Sequence, residues 1–235
     1  MQARDVMTTV VVTARPETTV AEMAQMMIKR GISGLPVVDG ENHVLGMVSE
    51  GDLLRRAELG TERRRSRWLD FFTANADLAA DYVKSHARSA ADVMVSPAIT
   101  VAPDATLSQV VDVMEQNSIK RVPVTENGKL LGIVSRGNLM QALGAMHTGP
   151  HDAMALDRSI RDQVLAEFRR QDWGLAGESN VVVINGVVHL WGTLASPEEQ
   201  KALRVAAEGI PGVRRVADHT ILFSDDLHLR SMPIL

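Results

Sequence analysis

Apolar positions along the chain alternate between two periods, and the alternation comes twice. Val20, Met23 and Met27 fall at helical spacing, and so do Leu107, Val110, Val111 and Met114. Each helical stretch follows a short β-prone run, Val10–Thr13 or Ile99–Val101, closed by Pro16 or Pro103. Two apolar strands come next, Leu35–Val38 and Val44–Ser49, parted by Asp39-Gly40; Val122–Thr125 and Leu130–Ser135 flank Asn127-Gly128 in the same way. A second helix is expected to open near Asp52 and near Asn138. The order is β-α-β-β-α, written twice. One such unit is too small to bury its sheet alone, so two are expected to pack about a pseudo-twofold axis.

The duplication is visible residue by residue. Asp5-Val6-Met7 recurs as Asp92-Val93-Met94, and Thr13 with Pro16 as Thr100 with Pro103. Ile32–Val37 recurs as Ile119–Val124, both ending in Pro-Val. Leu45-Gly46-Met47-Val48-Ser49 recurs as Leu131-Gly132-Ile133-Val134-Ser135, and Gly51-Asp52-Leu53 as Gly137-Asn138-Leu139.

Beyond the repeats the pattern changes. Gly144 to Asp152 has linker composition. Ile160, Val164, Leu165 and Phe168 mark an amphipathic helix, and Val181–Trp191 reads as a hairpin turning at Asn185-Gly186. Ser196-Pro197-Glu198-Glu199 is a helix start, with Ser as N-cap, Pro at the first helical position and Glu at the third. Pro211-Gly212-Val213 leads into a last strand from Val216 to Phe223.

The twice-written landmarks resemble the CBS domain in its tandem arrangement. The α-β-β-α-β order, with Asn185-Gly186-Val187-Val188-His189-Leu190-Trp191-Gly192 and Ile210-Pro211-Gly212-Val213, resembles the BON domain. The expected organisation is repeat 1 over 1–60, a helical connector over 61–91, repeat 2 over 92–145, a linker over 146–156, BON over 157–224 and a tail over 225–235. The fold class is α/β (α+β), with BON as a separate body. In the connector, Trp68, Phe71 and Phe72 share one helical face, read as a cap on the core or on a dimer seam.

The resemblance implies adenosine-type ligands (AMP, ADP, ATP or S-adenosylmethionine) in two clefts between the repeats. An acidic side chain at the last helix start accepts both ribose hydroxyls, and a Ser three residues earlier donates to phosphate. Carried across position by position, the preferred cleft combines Met47, Ser49 and Asp52 with Met94, Ile99, Ile119, Lys120 and Arg121. The weaker cleft combines Ile133, Ser135, Arg136 and Asn138 with Met7, Val12, Ile32 and Ser33. Asp52 brings a charge that Asn138 lacks. Both residues also suit a helix N-cap. The resemblance further implies a homodimer through the helical faces of the CBS pair, and a phospholipid or protein partner for BON.

Composition narrows the rest. The 235 residues carry a net charge of −4, so there is no global pull toward nucleic acid, which is not expected as a partner. Without cysteine there is no thiolate nucleophile and no Cys-based zinc site. Gly149-Pro150 breaks the helix that would align His147 with His151 as metal ligands, so no metal site is expected. Arg63-Arg64-Arg65-Ser66-Arg67 reads as a solvated helix start or dimer contact. No catalytic motif is present, and no obligatory cofactor is expected. With no signal-peptide pattern and no run near the ~18 apolar residues of a membrane span, the expectation is a non-enzymatic regulatory protein, cytoplasmic or peripheral at the membrane. The alternative is a dimerising scaffold that binds no ligand.

Overall fold

The computed structural model describes residues 1–54, 61, 86–146, 154–171 and 180–222. The connector aromatics Trp68, Phe71 and Phe72, the basic run at 63–67, His147, His151 and the tail lie outside the described residues.

Two compact units divide the chain, and they cut across the repeats. The first comprises Met1–Val10, Asp104–Arg121 and Gly132–Leu235; the second comprises Val11–Pro103 and Val122–Leu131.

In the second unit, α2 (Val20–Arg30) starts at Thr19, whose side chain accepts the Glu22 N–H at 3.2 Å while the Glu22 carboxylate takes the Thr19 N–H at 2.8 Å. Gly31, at φ 64°, ends the helix in the left-handed conformation that only glycine adopts freely. β1 (Gly34–Val38) and β2 (Val44–Ser49) form an antiparallel hairpin with a bulge at Val37/Val38. The Asp39 carboxylate closes its turn by accepting the N–H groups of Glu41 and His43. α3 (Glu50–Leu54) follows directly. The core gathers Met23 and Met27 from α2, Leu35, Val37 and Val48 from the hairpin, and Ala90 and Val93 from α4 (Ala90–Val93).

The strands expected at Val10–Thr13 and Ile99–Val101 reduce to single parallel bridges, Ala14 to Val37 and Val101 to Val124. Each crossing makes two hydrogen bonds, Ala14 N–H to Pro36 O and Val38 N–H to Ala14 O in the first repeat. Val101 N–H to Pro123 O and Thr125 N–H to Val101 O repeat the arrangement. Pro16 and Pro103 lack the N–H that would extend either ladder.

In the first unit, α1 (Ala3–Val6) precedes a bridge between Thr8 and Ile133. Its counterpart in the second unit joins Val95, after α4, to Met47. The Asp-Val-Met landmark of each repeat is therefore seated on the hairpin of the other. α5 (Leu107–Gln116) starts on a Thr106–Gln109 capping box. β3 (Arg121–Glu126) and β4 (Lys129–Ser135) form the second hairpin, whose residues 122–131 belong to the second unit, turning at Asn127 and Gly128, both at positive φ. α6 (Arg136–Ala145) follows.

The remainder of this unit is α7 (Met154–Arg169), β5 (Asn180–Ile184), β6 (Val187–Leu194), α8 (Pro197–Glu208) and β7 (Arg215–Leu222). β5 and β6 are antiparallel through Asn185 and Gly186, at φ 51° and 75°. α8 carries the chain over so that β7 runs parallel to β6. Ser196 caps α8 by accepting the Glu199 N–H at 3.1 Å. Ile160, Val164 and Phe168 of α7 pack with Val181, Val183, Leu190 and Leu203 in a continuous core.

This α-β-β-α-β region completes no sheet of the repeats. It shares one compact unit with α1, α5 and α6. Ala145 at the end of α6 packs with Val182 and Ile184 of β5. The polar contacts that join them run through Arg and Asn side chains, which in a sequence look like solvated surface.

Candidate functional site

Each repeat ends its hairpin in a Ser followed by a helix with an oxygen-bearing side chain at the third position. Ser49 donates to Asp52 Oδ2 from its N–H at 2.9 Å and from its hydroxyl at 2.7 Å. Ser135 donates to Asn138 Oδ1 from both groups at 2.8 Å, and its hydroxyl accepts the Asn138 N–H at 3.3 Å. Ser135 is thus the cap of its helix, and Asn138 completes the capping box from the third helical position; Asp52 stands at the same position and takes the corresponding Ser49 bonds. The expectation that Asp52 and Asn138 are themselves N-caps is corrected on this point.

The two acceptors are left in different states. Asp52 is half-buried, and its Oδ1 takes no hydrogen bond from the described residues. Asn138 is 4% exposed; its Oδ1 is filled by Ser135, and its Nδ2 donates to Thr8 Oγ1 at 3.1 Å.

In the second unit the structure gathers part of the preferred set. Met47 pairs with Val95, which brings Met94 alongside β2. A Cβ on Gly46 would lie 2.6 Å from Met94 Sδ and 2.9 Å from the Val95 carbonyl. Ser49 and Asp52 follow Met47 directly, whereas Ile99 lies further along the chain, 36% exposed. Val12 and Ile32, assigned to the weaker set, are here packed on the core of the second unit. The Ser33 carbonyl takes the first N–H of α3, from Glu50, at 3.2 Å.

In the first unit Met7, 9% exposed, precedes Thr8, which is bridged to Ile133, and Ser135 with Asn138 completes the group. Gly132 repeats the Gly46 geometry, its Cβ position 2.6 Å from Met7 Sδ and 2.8 Å from the Thr8 carbonyl. Ile119, Lys120 and Arg121 also belong to this unit. The Lys120 carbonyl accepts the N–H of Arg136, the first residue of α6, at 3.1 Å. Exposed Lys120 and exposed Arg136 therefore stand beside Ser135. Position-by-position transfer, which joined Lys120 and Arg121 to Asp52, carried no signal for this adjacency.

Sequence reasoning missed Thr8 as a partner of Asn138, and it read His189 and His219 as ordinary strand residues without their pairing. His189 Nδ1 and His219 Nε2 share a hydrogen bond at 3.1 Å, with Trp191 stacked on His219. Burial, with His219 and Arg215 adding to it, pushes the His189 pKa down to about 4. No group of three or more metal-ligating side chains occurs among the described residues, and no described helix is long and apolar enough to cross a membrane.

The doubled architecture has a family. Residues 3–58 and 90–145 match the CBS domain, and residues 156–222 match the BON domain. The chain belongs to the tandem CBS-domain proteins, and it carries a BON domain after the pair. The CBS domain-containing protein CBSX1, chloroplastic, of Arabidopsis thaliana is 28% identical over 138 residues, covering 54% of this chain and 57% of that protein. The chain thus spans little more than half of that relative's length. A 17.7 kDa protein of Acidianus ambivalens is 29% identical over 142 residues, 60% of this chain and 72% of its own. Among solved structures, CBSX2 of Arabidopsis thaliana in complex with AMP is 26% identical, with a TM-score of 0.54, and the match covers 62% of this chain and 98% of that one.

Proposed function

We propose that this protein is a non-enzymatic regulator that senses an adenosine-type ligand through its CBS pair, with the BON domain making contact to phospholipid or to a protein partner. The observation that carries the reading is Asp52. Its Oδ2 is fixed by Ser49 while Oδ1 takes no hydrogen bond from the described residues, so an oriented anionic acceptor stands ready for ribose hydroxyls. Met47 and Met94 supply polarisable apolar surface beside it. The AMP held by the similar CBSX2 supports the ligand class.

The phosphate side is argued separately. Lys120 and Arg136 sit at the Ser135 helix start, where the helix dipole and two cations favour an anion. Asp52→Ala is expected to weaken AMP, ADP, ATP and S-adenosylmethionine alike. Lys120→Ala with Arg136→Ala is expected to weaken ATP far more than adenosine. Calorimetric titration of the full chain with adenosine and the four ligands tests both. Absence of binding by all of them sinks the sensor reading.

One observation favours the scaffold alternative: the Ser135–Asn138 capping box also serves helix stability, and the Asn138 amide donates internally to Thr8. A homodimer fits either reading. Ile28 on α2 is 83% exposed, and Met140 on α6 is 65% exposed, both apolar surface for a second copy. A monomeric mass by light scattering at micromolar concentration would rule that dimer out.

A further inference from the structure

The segment Gln2–Thr8 is held from two directions. From the BON domain, Arg158 donates to Asp5 through Nε at 2.6 Å and through Nη2 at 3.2 Å, and Nη2 reaches Gln2 Oε1 at 2.9 Å. This is a forked ion pair between a nearly buried Asp5 and a half-buried Arg158, and forked pairs are the strong kind. Arg161, 4% exposed, donates from Nη2 to the Met7 carbonyl at 2.7 Å and from Nε to the Val181 carbonyl at 2.8 Å. Asn180, 2% exposed, donates to the Val6 carbonyl at 3.0 Å and to Gln141 of α6 at 2.9 Å. From the other direction, Thr8 is bridged to Ile133, and its hydroxyl takes the Asn138 amide. The residue that reports on the Ser135 helix start is therefore covalently next to the carbonyl that Arg161 grips.

We infer that the BON domain is clasped to the CBS pair through Gln2–Thr8, and that ligand at the Ser135–Asn138 helix start opens the clasp. The inference rests on the adenosine-ligand reading above for its trigger. The sign follows from hydrogen-bond inventory. Both acceptor directions of Asn138 Oδ1 are taken by Ser135, and its Nδ2 is given to Thr8. Asn138 is 4% exposed, so a ribose hydroxyl that reaches this side chain competes with those partners for it, and Thr8 is the one outside the capping box. Without the Asn138 amide, Thr8 keeps only its backbone bridge to Ile133, which loosens the stretch that presents the Met7 carbonyl to Arg161. Ligand and clasp then compete, and the competition is reciprocal: whatever factor the ligand takes from the clasp, a broken clasp gives back to the ligand.

The test uses the full chain, with AMP at saturation as the probe, and reads hydrogen exchange together with calorimetric affinity. AMP is expected to speed exchange across 154–171 and 180–184 about fivefold or more, and Arg158→Ala is expected to tighten AMP by a similar factor. If AMP binds while exchange there stays the same or slows, or if Arg158→Ala leaves affinity unchanged, the coupling is wrong. Should none of the four ligands bind, the sensor reading falls, and the mechanical link is read from Thr8→Val without ligand. Faster exchange in 154–171, with the β1–β2 hairpin unchanged, upholds the link; unchanged exchange in 154–171 overturns it.

Discussion

The helix starts of the two repeats are alike in geometry and unlike in chemistry. Ser49–Asp52 and Ser135–Asn138 place the same bonds at nearly the same lengths. The contrast recurs one helix earlier, where the capping box uses Glu22 in repeat 1 and Gln109 in repeat 2. Repeat 1 has a carboxylate at both positions and repeat 2 an amide at both. A capping box needs only an oxygen, so local structure tolerates either. A ligand distinguishes them, because the carboxylate keeps a second open acceptor while the amide spends its other end on Thr8.

The sharpest way to break the comparison is to show that the two scaffolds are not equivalent. At Gly46 and Gly132 an added Cβ meets a backbone carbonyl at 2.9 and 2.8 Å, so something must shift in both. Gly46→Ala and Gly132→Ala should each cost about 1–3 kcal/mol, and by similar amounts, in urea denaturation. A large inequality would mean that the repeats carry different structural weight.

Ligand binding is expected to divide them next. Asp52→Ala should lower the affinity of the tighter nucleotide phase roughly tenfold to a hundredfold, and Asn138→Ala should leave that phase nearly intact. The reverse pattern in calorimetry would show that the charge difference has been assigned to the wrong repeat.

Acid probes the third region while sparing the first two. With its pKa at about 4 in the fold and near 6.5 unfolded, His189 is neutral when folded, and the unfolded chain takes up the extra proton between those values. The stability this group supports is intact above pH 6.5 and falls as pH drops toward 4. Between pH 7 and pH 5.5 the loss should be about 1 kcal/mol, and His189→Gln should flatten that slope in denaturation midpoints. Glu22 and Asp39 are held below the ordinary carboxylate range by hydrogen bonds from Thr19 and His43, so both stay ionised in this window.

The smallest effect addresses the comparison most directly. Gln109→Glu gives repeat 2 the charged capping box of repeat 1 and places a carboxylate in the first turn of α5. It should stabilise by about 0.3–1 kcal/mol at low ionic strength, and the gain should shrink in molar salt. No gain would mean that acid and amide are interchangeable at this position as well.

Much of the fold was legible because its determinants are local. The periods of Val20, Met23 and Met27 and of Leu107, Val110 and Met114 specify α2 and α5 through burial of one face. Asn127-Gly128 and Asn185-Gly186 specify hairpins because both residues of each turn need positive φ. Ser196-Pro197-Glu198-Glu199 marks the start of α8 by itself. The Ser49–Asp52 and Ser135–Asn138 pairs were readable for the same reason, their partners being three residues apart. Harder to read were the short first strands, whose length depends on how many residues of a distant hairpin come within reach, and the neighbours of Lys120 and Arg121.

By itself the sequence determined the doubling, the elements, the capping pairs and the charge difference between Asp52 and Asn138, because each follows from residues near one another in the chain. Only the tertiary structure decided that Asn138 gives its amide to Thr8 and that Lys120 stands at the start of α6. It also decided that Arg158, Arg161 and Asn180 turn inward to grip Gln2–Thr8. The reason is that an Arg or Asn side chain has no sequence pattern for burial. Its destination is set by which carbonyl or carboxylate lies unsatisfied nearby once the backbone has folded, and that partner is some 150 residues away in the chain.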